Sequence, residues 1–103
     1  MIQSSGDQMQ VIGPMTIARA NQLISAGNAL IDAGAVTVDL SQVTDVDSAS
    51  LAILFDWCRT APKKLTIRHL PEAMRTLAQL YGVVDLIPQP SPSPQLPQGA
   101  KGV

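Results

Sequence analysis

The chain has 103 residues, of which 46% are hydrophobic, 15% charged and 3% aromatic, with a formal net charge of −1. That length allows one small domain, and the hydrophobic share suffices for a core, so wholesale disorder is excluded. The near-neutral balance argues against non-specific binding of nucleic acid, and a single cysteine excludes a disulfide framework or a cysteine-rich metal site.

The first elements read as a hairpin. A short strand from Ile2 to Ser4 turns through Ser5-Gly6-Asp7 into a strand at Met9–Ile12, which Gly13-Pro14 should stop. Thr16 is placed to cap the helix that follows. Ile17, Ala20, Ile24, Gly27 and Ile31 recur at helical spacing, Leu23 and Leu30 widen the stripe, and Gly34 ends it. The β-branched run Ala35–Leu40 predicts a strand with Val36, Val38 and Leu40 on one face. Ser41–Asp47 reads as a loop.

A helix is expected from Ser48 to about Thr60, stopped by Pro62. Leu51, Leu54, Phe55 and Cys58 form its buried stripe, with Ile53 and Trp57 on another side. Leu65–His69 is a further strand. Pro71 opens the last helix with Glu72 near its positive end, and Met74, Leu77, Ala78 and Tyr81 supply its apolar face until Gly82. Val83–Ile87 reads as a short closing strand or turn. Strands alternating with helices of this length imply right-handed crossovers, hence an α/β fold. The expected architecture is a small mixed β-sheet with helices packed mainly on one face.

The domain boundary is expected at residue 87. Five of the eight prolines, Pro88, Pro90, Pro92, Pro94 and Pro97, fall in residues 88–103, which read as a disordered, partly polyproline tail. The densest apolar stretch, Leu51–Phe55, ends at Asp56, far short of the roughly 20 residues of a membrane span. The first residues lack the basic-then-apolar pattern of a signal peptide. A cytoplasmic protein without direct membrane insertion is expected.

Chemistry concentrates where the central strand ends and a hydroxyl-rich helix begins. Asp47 and Ser48 suit a helix cap, and the unpaired N–H groups there favour an anion or a partner's acceptor. Two readings stand side by side: Asp47 and Ser48 only cap, or Ser48 and Ser50 present hydroxyls to a partner or a kinase. Trp57 reads equally as an interface anchor or a core residue. Arg59, Lys63 and Lys64 form a small basic cluster, either solvated or facing an acidic partner. His69, the sole histidine, is not read as forming a catalytic triad with Ser48 and Asp47: a triad needs an oriented base within hydrogen-bond reach and an oxyanion site, and no Gly-x-Ser-x-Gly elbow is present to supply them. One histidine and one cysteine do not make a metal site, and no phosphate-binding Gly-rich loop is present. No cofactor is expected.

The segment Val38-Asp39-Leu40-Ser41, then Val46-Asp47-Ser48-Ala49-Ser50-Leu51, resembles a STAS domain, the fold of bacterial anti-sigma-factor antagonists. Together with Leu65-Thr66-Ile67-Arg68 and Leu77-Ala78-Gln79-Leu80-Tyr81, it is similar to the MlaB branch over residues 8–88. That branch comprises cytoplasmic STAS subunits of phospholipid-transporting ABC complexes that maintain outer-membrane asymmetry. The resemblance implies a non-enzymatic subunit that docks on the ATPase subunit and, through it, joins the permease complex at the inner membrane. It implies partner-binding residues at Asp47, Ser48, Ala49 and Ser50, with Trp57 as a candidate anchor. The phosphoacceptor position of the antagonists falls on Ala49, which has no hydroxyl, while Ser48 stands where MlaB-like chains keep a functional threonine. The alternative is an antagonist-type switch whose partners are an anti-sigma factor and a serine kinase, with phosphate on Ser48 or Ser50.

Overall fold

The computed structural model describes residues 1–89. Its sheet has four strands in the order β1-β2-β3-β4. Strands β1 (Ile2–Ser5) and β2 (Gln8–Met15) form an antiparallel hairpin whose turn uses Gly6 at φ +63°. Strand β3 (Thr37–Val46) runs parallel to β2, and β4 (Thr66–Arg68) runs parallel to β3. Each parallel pair is joined by a helical crossover: α1 (Ala20–Asp32) between β2 and β3, and α2 (Ser48–Thr60) between β3 and β4. Helix α3 (Glu72–Leu80) follows β4, and a 3-10 turn at Val84–Leu86 closes the described chain. The expected mixed sheet, crossovers and α/β class are therefore present.

Side chains alternate across the strands. Met9, Val11 and Met15 of β2, Val38 and Leu40 of β3 and Ile67 of β4 are buried. They meet Leu23 and Ile31 of α1, Leu51, Ile53, Leu54 and Trp57 of α2, and Met74 and Ala78 of α3 in one core. The intervening positions line up as a polar row, with Gln10 beside Asp39 and Asp39 beside Arg68. Across that row the Gln10 amide donates to the Asp39 carboxylate at 3.5 Å. One sheet face thus carries the core and the helices, and the other is polar.

Three boundaries differ from the sequence reading. Gly13-Pro14 does not stop β2, which continues to Met15. The ladder shifts register around Ile12 and again before Met15, so the glycine, at φ +93°, marks an irregularity inside a strand. The stretch expected as a loop, Ser41–Asp47, is mostly strand: β3 reaches Val46, held by pairing of Gln42 with Ile12, Val43 with Gly13 and Val46 with Met15. Thr16 does not cap α1 through its side chain. Its carbonyl accepts the Arg19 N–H in a 3-10 turn at Ile17–Arg19 that leads into the helix.

The last described residues are tied to the sheet. Ile87 is buried, the Ile67 N–H on the outer side of β4 donates to the Pro88 carbonyl at 2.8 Å, and the Arg75 guanidinium donates to the Gln89 amide oxygen at 3.3 Å. Pro88 and Gln89, placed by sequence in the tail, thus belong to the packed fold. The rest of the expected tail, residues 90–103 with Pro94 and Pro97, lies outside the described residues.

Candidate partner-docking site

The extension of β3 to Val46 delivers Asp47 to the start of α2. Its extended backbone and short carboxylate make it the N-cap: Oδ1 accepts the Ala49 N–H at 2.9 Å. Oδ2 accepts a second backbone N–H, from Ile17, at 3.1 Å. One carboxylate therefore ties two segments together, the helix start and the turn after β2. Removing such a cap costs about 1 kcal/mol in typical helices.

The hydroxyl pair separates. Ser48 is exposed at the first helical position. Ser50 is fully buried, and its hydroxyl donates to the Asp47 carbonyl at 2.6 Å. A group with no accessible surface and a satisfied hydrogen bond does not meet a kinase or a partner in this conformation, which corrects the placing of Ser50 among contact and phosphorylation residues. Ala49 is half-buried.

Trp57 is likewise a core residue, which corrects its reading as an interface anchor. It is 0% exposed, and its indole N–H is shared between the carbonyls of Leu23 at 3.2 Å and Ile24 at 3.4 Å. The buried face of α2 is Ser50, Leu51, Ile53, Leu54 and Trp57, while Phe55 and Cys58 are only half-buried. Helix α2 meets α1 as well as the sheet, so it buries two adjoining sides. The expected single stripe captured one of them.

The site that remains is a shallow open hollow lined by Ile17, Asp47, Ser48, Ala49 and Ala52. Its spacing places Ile17 on the apolar stripe of α1, yet it is 74% exposed. The signal that could have moved it is Gly13-Pro14: a chain that leaves the sheet there needs a turn before the helix, and Ile17 sits in that turn. Lys63 and Lys64 are exposed beyond the other end of α2, while Arg59 pairs with Asp56. The basic cluster is thus separated along the helix from the Asp47–Ser48 start. His69 follows β4, exposed, with φ +58°. Among the described residues no three His, Cys, Asp or Glu side chains gather to hold a metal ion. No described helix is long and apolar enough to cross a membrane.

The family model described as the MlaB STAS domain matches residues 1–88. A comparison with curated protein sequences gives no match. Among solved structures, a chain of the Acinetobacter MlaFEDB complex in an ATP-bound conformation is 28% identical. The match covers 79% of this chain and 90% of that one, with a TM-score of 0.69. The anti-sigma factor antagonist SpoIIAA in its unphosphorylated form shares the fold, at 13% identity, with 78% and 81% of the two chains covered and a TM-score of 0.57. With the family model spanning the sheet, all three helices and the closing turn, the chain belongs to the MlaB-type STAS domain family.

Proposed function

We propose that the chain is a non-enzymatic STAS subunit of an Mla-type phospholipid ABC transporter, and that it docks on the transporter's ATPase subunit to support its assembly and activity. The observation that carries this reading is the similarity, over 79% of this chain and 90% of that one, to a chain of an ATP-bound MlaFEDB complex. The site chemistry agrees with it. Asp47 spends both carboxylate oxygens on backbone N–H groups, and Ser50 spends its hydroxyl on a backbone carbonyl. Neither is poised for acid–base or nucleophilic work, which needs a positioned base within hydrogen-bond reach. Ser48, exposed at the helix start, is left to meet a partner. In this reading the protein works at the cytoplasmic side of the inner membrane, held there by the ATPase and permease.

Co-expression with the Mla-type ATPase and permease of the source organism, followed by size-exclusion chromatography, tests the proposal. The chain is expected to co-elute with the ATPase. Elution of the chain apart from an intact ATPase–permease assembly would count against it.

A further inference from the structure

The hollow beside Ser48 has a wall and floor of different origin. The floor is the first turn of α2, with Ala49 and Ala52, and the wall is Ile17 from the turn after β2. An isoleucine 74% exposed, on a turn fixed by a hydrogen bond from its own N–H to Asp47, gains little from the fold. The Asp47 carboxylate sets its distance from the helix start by holding Ile17 on one oxygen and Ala49 on the other. Hydrocarbon lines the hollow, and the free polar group at its edge is the Ser48 hydroxyl.

The shape argues against a small-molecule ligand. Such sites enclose most of their ligand and converge several polar groups on it. This one is open and offers one hydroxyl. It suits a single protruding side chain. The charges nearby narrow the chemistry. Asp45, exposed two residues before the helix cap, makes one hydrogen bond, from the Thr44 hydroxyl. Neither Asp45 nor Asp47 is ion-paired among the described residues. The cation closest in sequence to Ile17, Arg19, directs its Nε to the Gln22 amide oxygen, and Arg59, at the far end of α2, pairs with Asp56.

We infer that Ile17 is the apolar anchor of the docking surface, and that the hollow between Ile17 and Ala52 takes one apolar side chain from an ATPase segment carrying a lysine or arginine opposite Asp45. This rests on the ATPase-docking reading and names the partner chemistry it requires. Buried central anchors of this kind carry most of an interface's binding energy, whereas rim charges tune association and salt dependence.

Titration calorimetry of the full chain with the purified ATPase subunit, at low and at physiological ionic strength, tests the inference. Ile17→Asp and Ala52→Trp change exposed positions, and thermal melts check that both variants fold. Each is expected to weaken binding by about 30-fold or more, the loss typical of an interface hot spot. Asp45→Asn is expected to flatten the salt dependence. If the unaltered chain binds while Ile17→Asp and Ala52→Trp bind within about threefold of it, the anchor is overturned and the docking reading survives. If the unaltered chain does not bind, the docking reading itself fails.

Discussion

Gly27 of α1 lies flat against the indole of Trp57 of α2. A methyl group at position 27 would stand 2.2 Å from the indole nitrogen and 2.3 and 2.6 Å from two ring carbons. The glycine is what lets the two helices approach closely enough for the indole N–H to reach the Leu23 and Ile24 carbonyls. Gly27→Ala would gain about 1 kcal/mol of helix propensity. Against this stands overpacking at a fully buried ring, about 1–3 kcal/mol, plus the loss of a buried hydrogen bond, about 1–3 kcal/mol. The steric side wins, so the variant is expected to be less stable by about 1–5 kcal/mol. Urea denaturation followed by tryptophan fluorescence reads this directly, and an unchanged or higher midpoint would show that the helices part at little cost.

The two serines at the start of α2 should answer differently to a negative charge. Ser48→Asp places a carboxylate on an exposed first turn, where the helix dipole favours it by about 0.3–1 kcal/mol. Ser50→Asp buries a charge beneath the cap and breaks the bond to the Asp47 carbonyl, at an expected cost of about 3 kcal/mol or more. Thermal melts of the two variants compare them. Equal melting temperatures would mean that Ser50 is reached by solvent.

The fold should end functionally at Gln89. A chain of residues 1–86 loses the buried Ile87 and the Pro88 carbonyl that covers β4, and is expected to be destabilised by about 2–5 kcal/mol. A chain of residues 1–89 keeps both and should melt within a few degrees of the full chain. A large loss in the longer truncation would assign residues 90–103 a structural role.

Cys58 supplies a pH dependence. Burial pushes its thiol up from the ordinary range. The native state therefore holds the proton more tightly than the unfolded chain. Its stabilising contribution is complete below the unfolded thiol range, about pH 8.5, and is lost as pH rises through the folded value. The unaltered chain is thus expected to lose stability faster than Cys58→Ala as the pH rises above about 8.5. Urea midpoints across that range make the comparison. Parallel pH profiles for the two chains would show that the thiol titrates alike in both states.

Much of this fold was legible because period and punctuation agreed. The alternation of Val38 and Leu40, the helical spacing of Leu23 and Ile31, and the Asp47 cap each pointed where the structure places them, while Ser48 takes the first helical position instead of capping. The misreadings share a cause: pairing and packing partners distant in sequence. Ser41–Val46 has little apolar character, yet it is strand because β2 lies beside it. Gly13-Pro14 reads as a stop only until the ladder absorbs it as a register shift. Trp57 appeared off the stripe because nothing local announces that Gly27, thirty positions earlier, leaves space for it. Ser50 kept its place among the contact residues because a hydroxyl looks alike in sequence whether it faces solvent or a backbone carbonyl. Ile17 was missed for the converse reason, since an apolar residue at helical spacing is ordinarily core.

In the proposed function the start of α2 meets the ATPase subunit. Ser48 is its exposed centre, and an arginine there would project a bulky charge across the hollow without disturbing a buried contact. The most direct measurement is the affinity of the purified ATPase subunit for the unaltered chain and for Ser48→Arg. A stoichiometric complex is expected with the former and at least a tenfold weaker one, about 1.4 kcal/mol, with the latter. Undiminished affinity of a folded Ser48→Arg chain would remove this helix start from the interface.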